Sequence, residues 1–198
     1  MFNEKAYLQA YPDVAAAVKA GSFTSGLQHY EQFGQFEKNR FGFFLGTNGN
    51  DTITGIGEGN KLIAGLGFDV LSNGATVAGV GQIDTLIGTR GTDVFLLGHS
   101  SLSSLTSTPQ QFYVGGGNRD YALIQNFKRA SDMIVLEGAP QNYTSQVVNG
   151  SLNISTSSGD LVGIVEGVTF LMPVSGDLIN LTRFNIPFNA VGPFTVFL

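Results

Sequence analysis

The order of hydrophobic and polar residues divides the chain into a helical beginning and a longer β-rich remainder. Residues 1–40 are rich in Ala, Leu, Lys, Gln and Glu and lack strand-like alternation, which favours helices. Pro12 fits the first turn of a helix that runs to Val18, and Gly21 supplies a stop signal. Ser25, followed three residues later by Gln28, is a capping box that predicts a second helix ending near residue 34.

A nine-residue period begins at Gly46. Five segments align on this period, with Asp or Asn at the sixth position and an apolar residue at the eighth: residues 46–54, 55–63, 64–72, 79–87 and 88–96. The sixth positions are Asp51, Asn60, Asp69, Asp84 and Asp93, and the eighth positions are Ile53, Leu62, Leu71, Leu86 and Phe95. Six further residues, 73–78, interrupt the register, and we expect them to loop out.

The repeat predicts a mainly β fold, with a short parallel β-roll (a solenoid) between a small N-terminal helical cap and a β-rich C-terminal closing region. Its glycines permit left-handed turns, and the apolar eighth residue points inward from a very short strand. Each coil of a roll uses two repeats. We therefore expect the first, third and fifth repeats to share one edge, and the second and fourth repeats to share the other.

The period fades after Leu97 into a Ser- and Thr-rich linker and then into alternating segments such as 121–124 and 133–136. These segments predict strands that cover the open end of the roll. The predicted organisation is a helical module at 1–42, β-roll repeats at 43–97, and a β-strand cap with an apolar tail at 98–198. The tail, residues 184–198, contains Pro187 and Pro193, which prevent a long strand. It docks on a neighbouring copy as an added strand, serves as a secretion signal, or folds back on its own core.

Composition and charge exclude several classes of protein. The net charge is −5, and the 10 Lys and Arg residues are dispersed along the chain, so no basic stripe is present to bind nucleic acid. The chain has no cysteine for disulfides or a thiolate metal site. It lacks both the basic start and apolar run of a cleavable signal peptide and any apolar stretch of the roughly 18 residues needed to span a membrane. We expect export, if it occurs, without a cleavable N-terminal signal.

The Asp residues of the repeat are candidate calcium ligands. Stacked turns bring carboxylates and backbone carbonyls together, and these are the hard oxygen ligands that calcium prefers. The predicted site uses Asp51 and Asp69, with carbonyls from 46–50 and 64–68 that include those of Gly49 and Gly67. On the other edge Asn60 supplies a neutral amide oxygen, so we expect calcium there to bind weakly or not at all. The candidate metal ligands are Asp51, Asp69, Asp93, Asn60, Asp84, Gly49 and Gly67.

These repeats resemble those of the RTX (hemolysin-type) family of bacterial exported proteins. The stretches GTDVFLLG (91–98), DYALI (120–124) and DMI (132–134) are similar to the C-terminal end of RTX-like domains of cyanobacteria. YPDV at 11–14, with HY at 29–30, resembles a small helical module that accompanies such repeats. The resemblance implies calcium-assisted folding outside the cell after type I secretion, directed by an uncleaved C-terminus.

Other motifs carry weaker signals. Residues 115–118, GGGN, resemble a phosphate loop, but no Gly-Lys-Ser/Thr follows and a flexible turn is favoured. His99 lies beside two serines, yet adjacency in sequence does not define a catalytic triad. The carboxylates Glu58, Glu137, Asp160 and Glu166 show no spacing that singles out a catalytic pair.

The sequence therefore favours a non-enzymatic, secreted structural or cell-surface protein that binds calcium and assembles into an extracellular fibre or layer. Its expected partners are copies of itself or cell-surface polymers. One alternative is a carrier or adhesion domain that binds glycans through an exposed platform of Tyr113, Tyr121 and Tyr143. Another is a small enzyme without a recognisable catalytic motif.

Overall fold

The structure is a computed structural model, and it describes residues 1–37, 40–46, 51–55, 58–63, 68–70, 76–99, 110–176 and 194–198. Three helices precede the strands: α1 (Glu4–Ala10), α2 (Pro12–Lys19) and α3 (Gly26–Gln32). The strands are β1 (Gly42–Leu45), β2 (Thr52–Thr54), β3 (Glu58–Ile63), β4 (Phe68–Val70), β5 (Thr76–Ala78), β6 (Ile83–Ile87), β7 (Arg90–Leu96), β8 (Gly98–His99), β9 (Gln110–Phe112), β10 (Tyr121–Gln125), β11 (Met133–Glu137), β12 (Tyr143–Val148), β13 (Ser151–Thr156), β14 (Leu161–Val165), β15 (Pro173–Ser175) and β16 (Phe194–Phe197). The predicted mainly β class with N-terminal helices is confirmed.

Local sequence signals account for the helices. Pro12 opens α2, and Gly21 ends it with a φ of +80°. The Ser25 side chain accepts a hydrogen bond from the Gln28 N–H at 3.0 Å and caps α3 as predicted. The reciprocal bond differs from a capping box, because Gln28 Oε1 accepts from the N–H of Thr24 instead of that of Ser25. In the described part of the chain, no helix combines the length and apolar character needed to cross a membrane.

Two six-stranded sheets hold most of the chain. The first has the order β1-β3-β7-β11-β16-β15, and the second has the order β12-β13-β14-β10-β6-β2. The first four strands of the first sheet pair in parallel, and so do β2, β6, β10 and β14 of the second. The remaining strands of both sheets pair antiparallel. Strand pairing therefore continues unbroken past residue 97, where the sequence pattern placed the end of the repeats.

The third repeat leaves both large sheets. Its strand β4 pairs antiparallel with β5, and both belong to a four-stranded sheet of order β4-β5-β9-β8. The expectation that residues 73–78 loop out is wrong for 76–78, since these residues form β5. The expectation that the first, third and fifth repeats share an edge is also wrong. The first repeat pairs with the fourth through β2 and β6, and the second pairs with the fifth through β3 and β7.

The core consists of two apolar columns, one on each large sheet. Neighbouring strands place Leu62, Phe95, Ile134 and Phe197 in register on the first sheet, and Ile53, Leu86, Ile124 and Val165 on the second. All eight side chains are buried and belong to one hydrophobic cluster. The inward eighth positions are thus confirmed for four repeats, while the side chain of Leu71 lies outside the described residues.

The apolar tail contributes to this core. Strand β16 lies between β11 and β15, and its four residues are buried. Of the alternatives for the tail, the described residues 194–198 support folding back on the chain's own core and contradict their docking as a strand on a neighbouring copy. Residues 184–193 lie outside the described residues.

The N-terminal segment covers the outer edge of the first sheet. The N–H of Asn3 donates to the Phe43 carbonyl at 2.7 Å, and the N–H of Leu45 donates to the Met1 carbonyl at 2.8 Å. Phe2 stacks with Tyr30 at a ring-centroid distance of 5.5 Å. This cap pairs backbone groups of β1 that an open edge would expose.

Lys61 of β3 is buried on the capped sheet. Its ammonium lies 4.7 Å from the ring centroid of Phe43 and 5.4 Å from that of Phe41, and only 3% of the residue is exposed. Burial lowers the pKa of Lys61 to about 7. The folded protein therefore holds fewer protons here than the unfolded chain between pH 7 and the ordinary lysine pKa of about 10.4.

We expect the free energy of unfolding to rise with pH in this window. Below pH 7 the cost of charging buried Lys61 is fully present, and between pH 7 and 9 its removal contributes up to about 2 kcal/mol. Urea unfolding at pH 7, 8 and 9 measures the slope, and Lys61→Met should flatten it. Lys19→Met, which changes an exposed lysine of α2, should leave the slope intact. An equal slope in wild type and Lys61→Met would contradict the assignment.

Candidate functional site

Four of the predicted ligand residues, Asp51, Asn60, Asp84 and Asp93, lie just before or within parallel strands of the two large sheets, and the pairing of these strands determines which of them meet. The N–H of Asp51 donates to Asp84 Oδ1 at 2.7 Å, and the N–H of Asn60 donates to Asp93 Oδ1 at 3.0 Å. The predicted neighbours were instead Asp51 with Asp69 and Asn60 with Asp84. Asp69 belongs to the third sheet because its repeat leaves the stack, and its side chain lies outside the described residues, as do Gly49 and Gly67.

The spacing between Gly and Asp in the repeat has a steric cause. The sixth side chain folds back over the first glycine of its own repeat. A Cβ added to Gly46 would lie 2.7 Å from Asp51 Oδ2, and one added to Gly55 would overlap the Asn60 amide. Any side chain at these positions would therefore displace the acidic or amide group from the turn.

Three side chains form a hydrogen-bonded column along the first sheet, on β3, on β7 and just before β11. Asn60 Nδ2 donates to Asp93 Oδ1 at 3.0 Å and to Thr89 Oγ1 at 2.7 Å. The N–H of Asp93 donates in turn to Asp132 Oδ1 at 3.0 Å. At the capped end, the Tyr30 hydroxyl donates to Asn60 Oδ1 at 3.0 Å. Each member thus accepts hydrogen bonds from the backbone or side chain of its neighbour.

The carboxylates of this column also cap their own turns. Asp93 Oδ2 accepts from the Thr89 N–H at 2.7 Å, and Asp132 Oδ2 accepts from the Lys128 N–H at 2.8 Å. The two turns use the same four-residue spacing. Burial raises the pKa of Asp132, while the N–H groups of Lys128 and Asp93 and the ammonium of Lys128 oppose that rise.

Lys128 brings a cation to the two carboxylates. Its Nζ lies 3.1 Å from Asp132 Oδ2 and 3.4 Å from Asp93 Oδ2, and it donates to the carbonyl of Thr89. Both carboxylate side chains are fully buried, whereas the lysine side chain is 38% exposed. Two carboxylates from adjacent strands and one backbone carbonyl are the kind of oxygen ligands that would hold a metal ion. In this column the ammonium of Lys128 occupies that position.

The second sheet carries a different arrangement at Asp84. This residue is fully buried, and its Oδ2 accepts a hydrogen bond from the Tyr113 hydroxyl at 2.6 Å. Tyr113 adopts a positive φ of 57° and is itself fully buried. Burial, with the nearby charge of Asp84, raises the pKa of Tyr113 well above its ordinary value. Tyr113 therefore serves as a neutral donor to Asp84.

The exposed tyrosine platform of the glycan-binding alternative is not present. Tyr113 is buried as described, and Tyr143 is 7% exposed with its hydroxyl donating to the Glu137 carbonyl. Of the three tyrosines only Tyr121 is partly exposed. His29 is also buried, with its Nδ1 3.0 Å from the Tyr7 hydroxyl. The side chain of His99 lies outside the described residues.

Sequence reasoning missed several residues that share these environments. Asp120 and Asp132 are 0% and 2% exposed and precede β10 and β11, and Asp160 precedes β14. A signal was present for Asp120, because Gly115 stands five residues before it and an apolar residue stands two places after it, as in the repeat. For Asp132 and Asp160 the glycine at that spacing is absent. Within the described part of the chain, no cluster of three or more His, Cys, Asp or Glu residues is arranged to hold a metal ion.

Comparison with known proteins does not assign the chain to a family: no family model matches it, and no curated protein is significantly similar to it in sequence.

Proposed function

We propose that the chain is a secreted structural protein of the cell exterior, in which a parallel β-roll forms a rigid body and calcium assists its folding. The roll would comprise the eight parallel strands of the two large sheets. Along the chain these strands alternate between the sheets, β1 with β2, β3 with β6, β7 with β10 and β11 with β14. Each such pair makes one coil, and the strands of the third sheet are inserted within the second and third coils, between β3 and β6 and between β7 and β10. The helices cover one end, and the antiparallel strands complete the other.

The observation that carries the calcium role is the burial of carboxylates just before or within the parallel strands. Asp84, Asp93, Asp120 and Asp132 are each no more than 2% exposed. Removing a carboxylate from water is costly unless hydrogen bonds or a cation compensate. Lys128 lies beside Asp93 and Asp132, whereas no ion pair of the described residues involves Asp120. A cation from solution would stabilise the folded state there.

Such a dependence suits a protein that folds after export. Calcium is scarce inside cells and plentiful outside, so the chain would gain its full stability only at its destination. A type I secretion apparatus and an uncleaved C-terminus fit this route, and copies of the chain or cell-surface polymers are the proposed partners. Assembly of copies would use surfaces other than β16, since both neighbours of that strand belong to the same chain.

Thermal unfolding of the full chain in excess calcium and in excess chelator tests the proposal. Calcium at a hundred times its dissociation constant should contribute about 2.7 kcal/mol, which raises the Tm by roughly 5–10 °C for a chain of this size. Magnesium at equal concentration is the control, because it keeps its water ligands and fits such sites poorly. Equal Tm values in calcium and chelator would refute the calcium role.

A further inference from the structure

In the described part of the chain, three buried side-chain oxygen atoms have no hydrogen-bond partner: Gln82 Oε1, Asp120 Oδ1 and Asp160 Oδ1. They lie along the edge of the second sheet at which its parallel strands begin. Each belongs to the residue immediately before a parallel strand, namely β6, β10 or β14. These strands are direct neighbours in the sheet. Ile83 pairs with Tyr121, which places Gln82 next to Asp120, and the charge of Asp160 acts on Asp120. The three side chains therefore lie next to one another along this edge of the sheet.

The second oxygen of each carboxylate is already fixed by a backbone donor. Asp120 Oδ2 accepts from the Gly81 N–H at 3.1 Å, and Asp160 Oδ2 accepts from the Gly115 N–H. Gly116 lies directly against the Asp120 carboxylate, where a Cβ would overlap both of its oxygens. The glycines at 115–117 thus let the backbone lie close to the carboxylates of Asp120 and Asp160. The remaining oxygen of each carboxylate is left for another ligand.

The charge of this pair is not compensated as it is beside Lys128. Asp120 is fully buried, and burial raises its pKa, to which the negative charge of Asp160 adds. The adjacent Arg119 directs its Nε to the Gly116 carbonyl at 3.1 Å. Among the described residues, neither Asp120 nor Asp160 forms an ion pair with a lysine or arginine. Two neighbouring carboxylates in this setting favour a bound cation.

We propose that calcium binds between Gln82 Oε1, Asp120 Oδ1 and Asp160 Oδ1. Two carboxylates and an amide oxygen are hard ligands that suit calcium, which accepts carbonyls and water to complete its coordination. The flanking Gly81 and Gly115 are exposed, so the ion reaches the site from solvent. The inference rests on the calcium-assisted folding proposed above and moves the site from the predicted ligands to the residues that immediately precede β6, β10 and β14.

Calcium titration of the full chain by calorimetry, together with Tm measurements in calcium and chelator, tests this site. Asp160→Asn removes one charge and keeps the shape, so we expect at least a tenfold loss of calcium affinity. Glu166→Gln, at an exposed carboxylate after β14, is the matched control and should bind as wild type does. Unchanged affinity in Asp160→Asn would overturn this site alone. A wild-type chain that takes up no calcium would overturn both the site and the calcium role.

A second variant decides the question if Asp160→Asn does not fold. Gln82→Lys would place an ammonium next to Asp120, as Lys128 does beside Asp132. We expect this variant to have a higher Tm than wild type in chelator and to lose the calcium response. A Gln82→Lys protein that keeps the wild-type increase in Tm with calcium would overturn the proposed site.

Discussion

Replacement of Asn60 by aspartate is expected to lower the free energy of unfolding by about 3–5 kcal/mol, the cost of an uncompensated buried charge. Asn60 is fully buried, and its Nδ2 donates to Asp93 Oδ1 and Thr89 Oγ1. An aspartate oxygen in place of Nδ2 would lie about as close to the Asp93 carboxylate, where the present distance is 3.0 Å. The change thus removes two donors and sets two like charges in contact. Urea unfolding at pH 7 measures the loss.

The pH dependence separates charge repulsion from a packing defect. The two carboxylates in Asn60→Asp would share a proton, so one pKa rises in the folded state. The folded state then binds more protons than the unfolded chain, and the deficit should shrink as the pH falls from 7 towards 4. Asn3→Asp is the matched control, because the side chain of Asn3 caps α1 by accepting a bond from the Ala6 N–H at 2.8 Å, and aspartate caps a helix equally well. A deficit that is constant with pH would contradict the repulsion.

The structure explains why one repeat carries Asn where the others carry Asp. Asn60 heads its column next to the helical cap, where it accepts from Tyr30 and donates to Asp93. Aspartate cannot donate when ionised, so only the amide satisfies both neighbours. From the sequence alone, Asn60 predicted weak calcium binding on its edge of the roll. Its actual hydrogen-bond partners could not be predicted, because they depend on a strand pairing that the repeat does not specify.

Short-range signals predicted the local structure well. The Pro12 start, the Gly21 stop and the Ser25 cap are confirmed, as are the inward eighth positions of the first, second, fourth and fifth repeats. These features depend on backbone geometry within one helix or one strand. They do not specify which repeats become neighbours.

The pairing of repeats could not be predicted, because the insertion after the third repeat changes which repeats become neighbours. Residues 76–78 form a strand that pairs with the third repeat, and this pairing draws Asp69 into a separate sheet. The fourth repeat then pairs with the first. The repeats therefore share edges in neither of the two predicted sets. The stack also continues through β10, β11 and β14, whose Ile124, Ile134 and Val165 extend the two apolar columns. Gly115 keeps the repeat spacing before Asp120, but no glycine stands at that spacing before β11 or β14, so the nine-residue period does not reveal these two strands.

Lys128→Met is expected to lower the free energy of unfolding by about 3 kcal/mol at pH 7. The lysine Nζ lies beside Asp93 and Asp132, whose side chains are fully buried. Loss of one partner of a buried ion pair costs about 3–5 kcal/mol, and the 38% exposure of the lysine side chain places the effect at the lower end. Methionine keeps most of the apolar stem, so the change reports on the charge. Urea unfolding measures the loss of stability in Lys128→Met and compares it with the loss in Lys19→Met, which removes the charge of an exposed lysine.

Calcium should distinguish a cation role from a packing role of Lys128. Without the ammonium, the two carboxylates and the Thr89 carbonyl remain as oxygen ligands around a vacated position, and a divalent ion can enter it. We therefore expect millimolar calcium to recover part of the deficit of Lys128→Met beyond the gain that calcium gives to the wild type. Lys128→Arg retains the charge and should show no such additional recovery. If calcium stabilises Lys128→Met no more than wild type, the ammonium does not stand in for a metal ion, and its contribution is that of an ordinary ion pair.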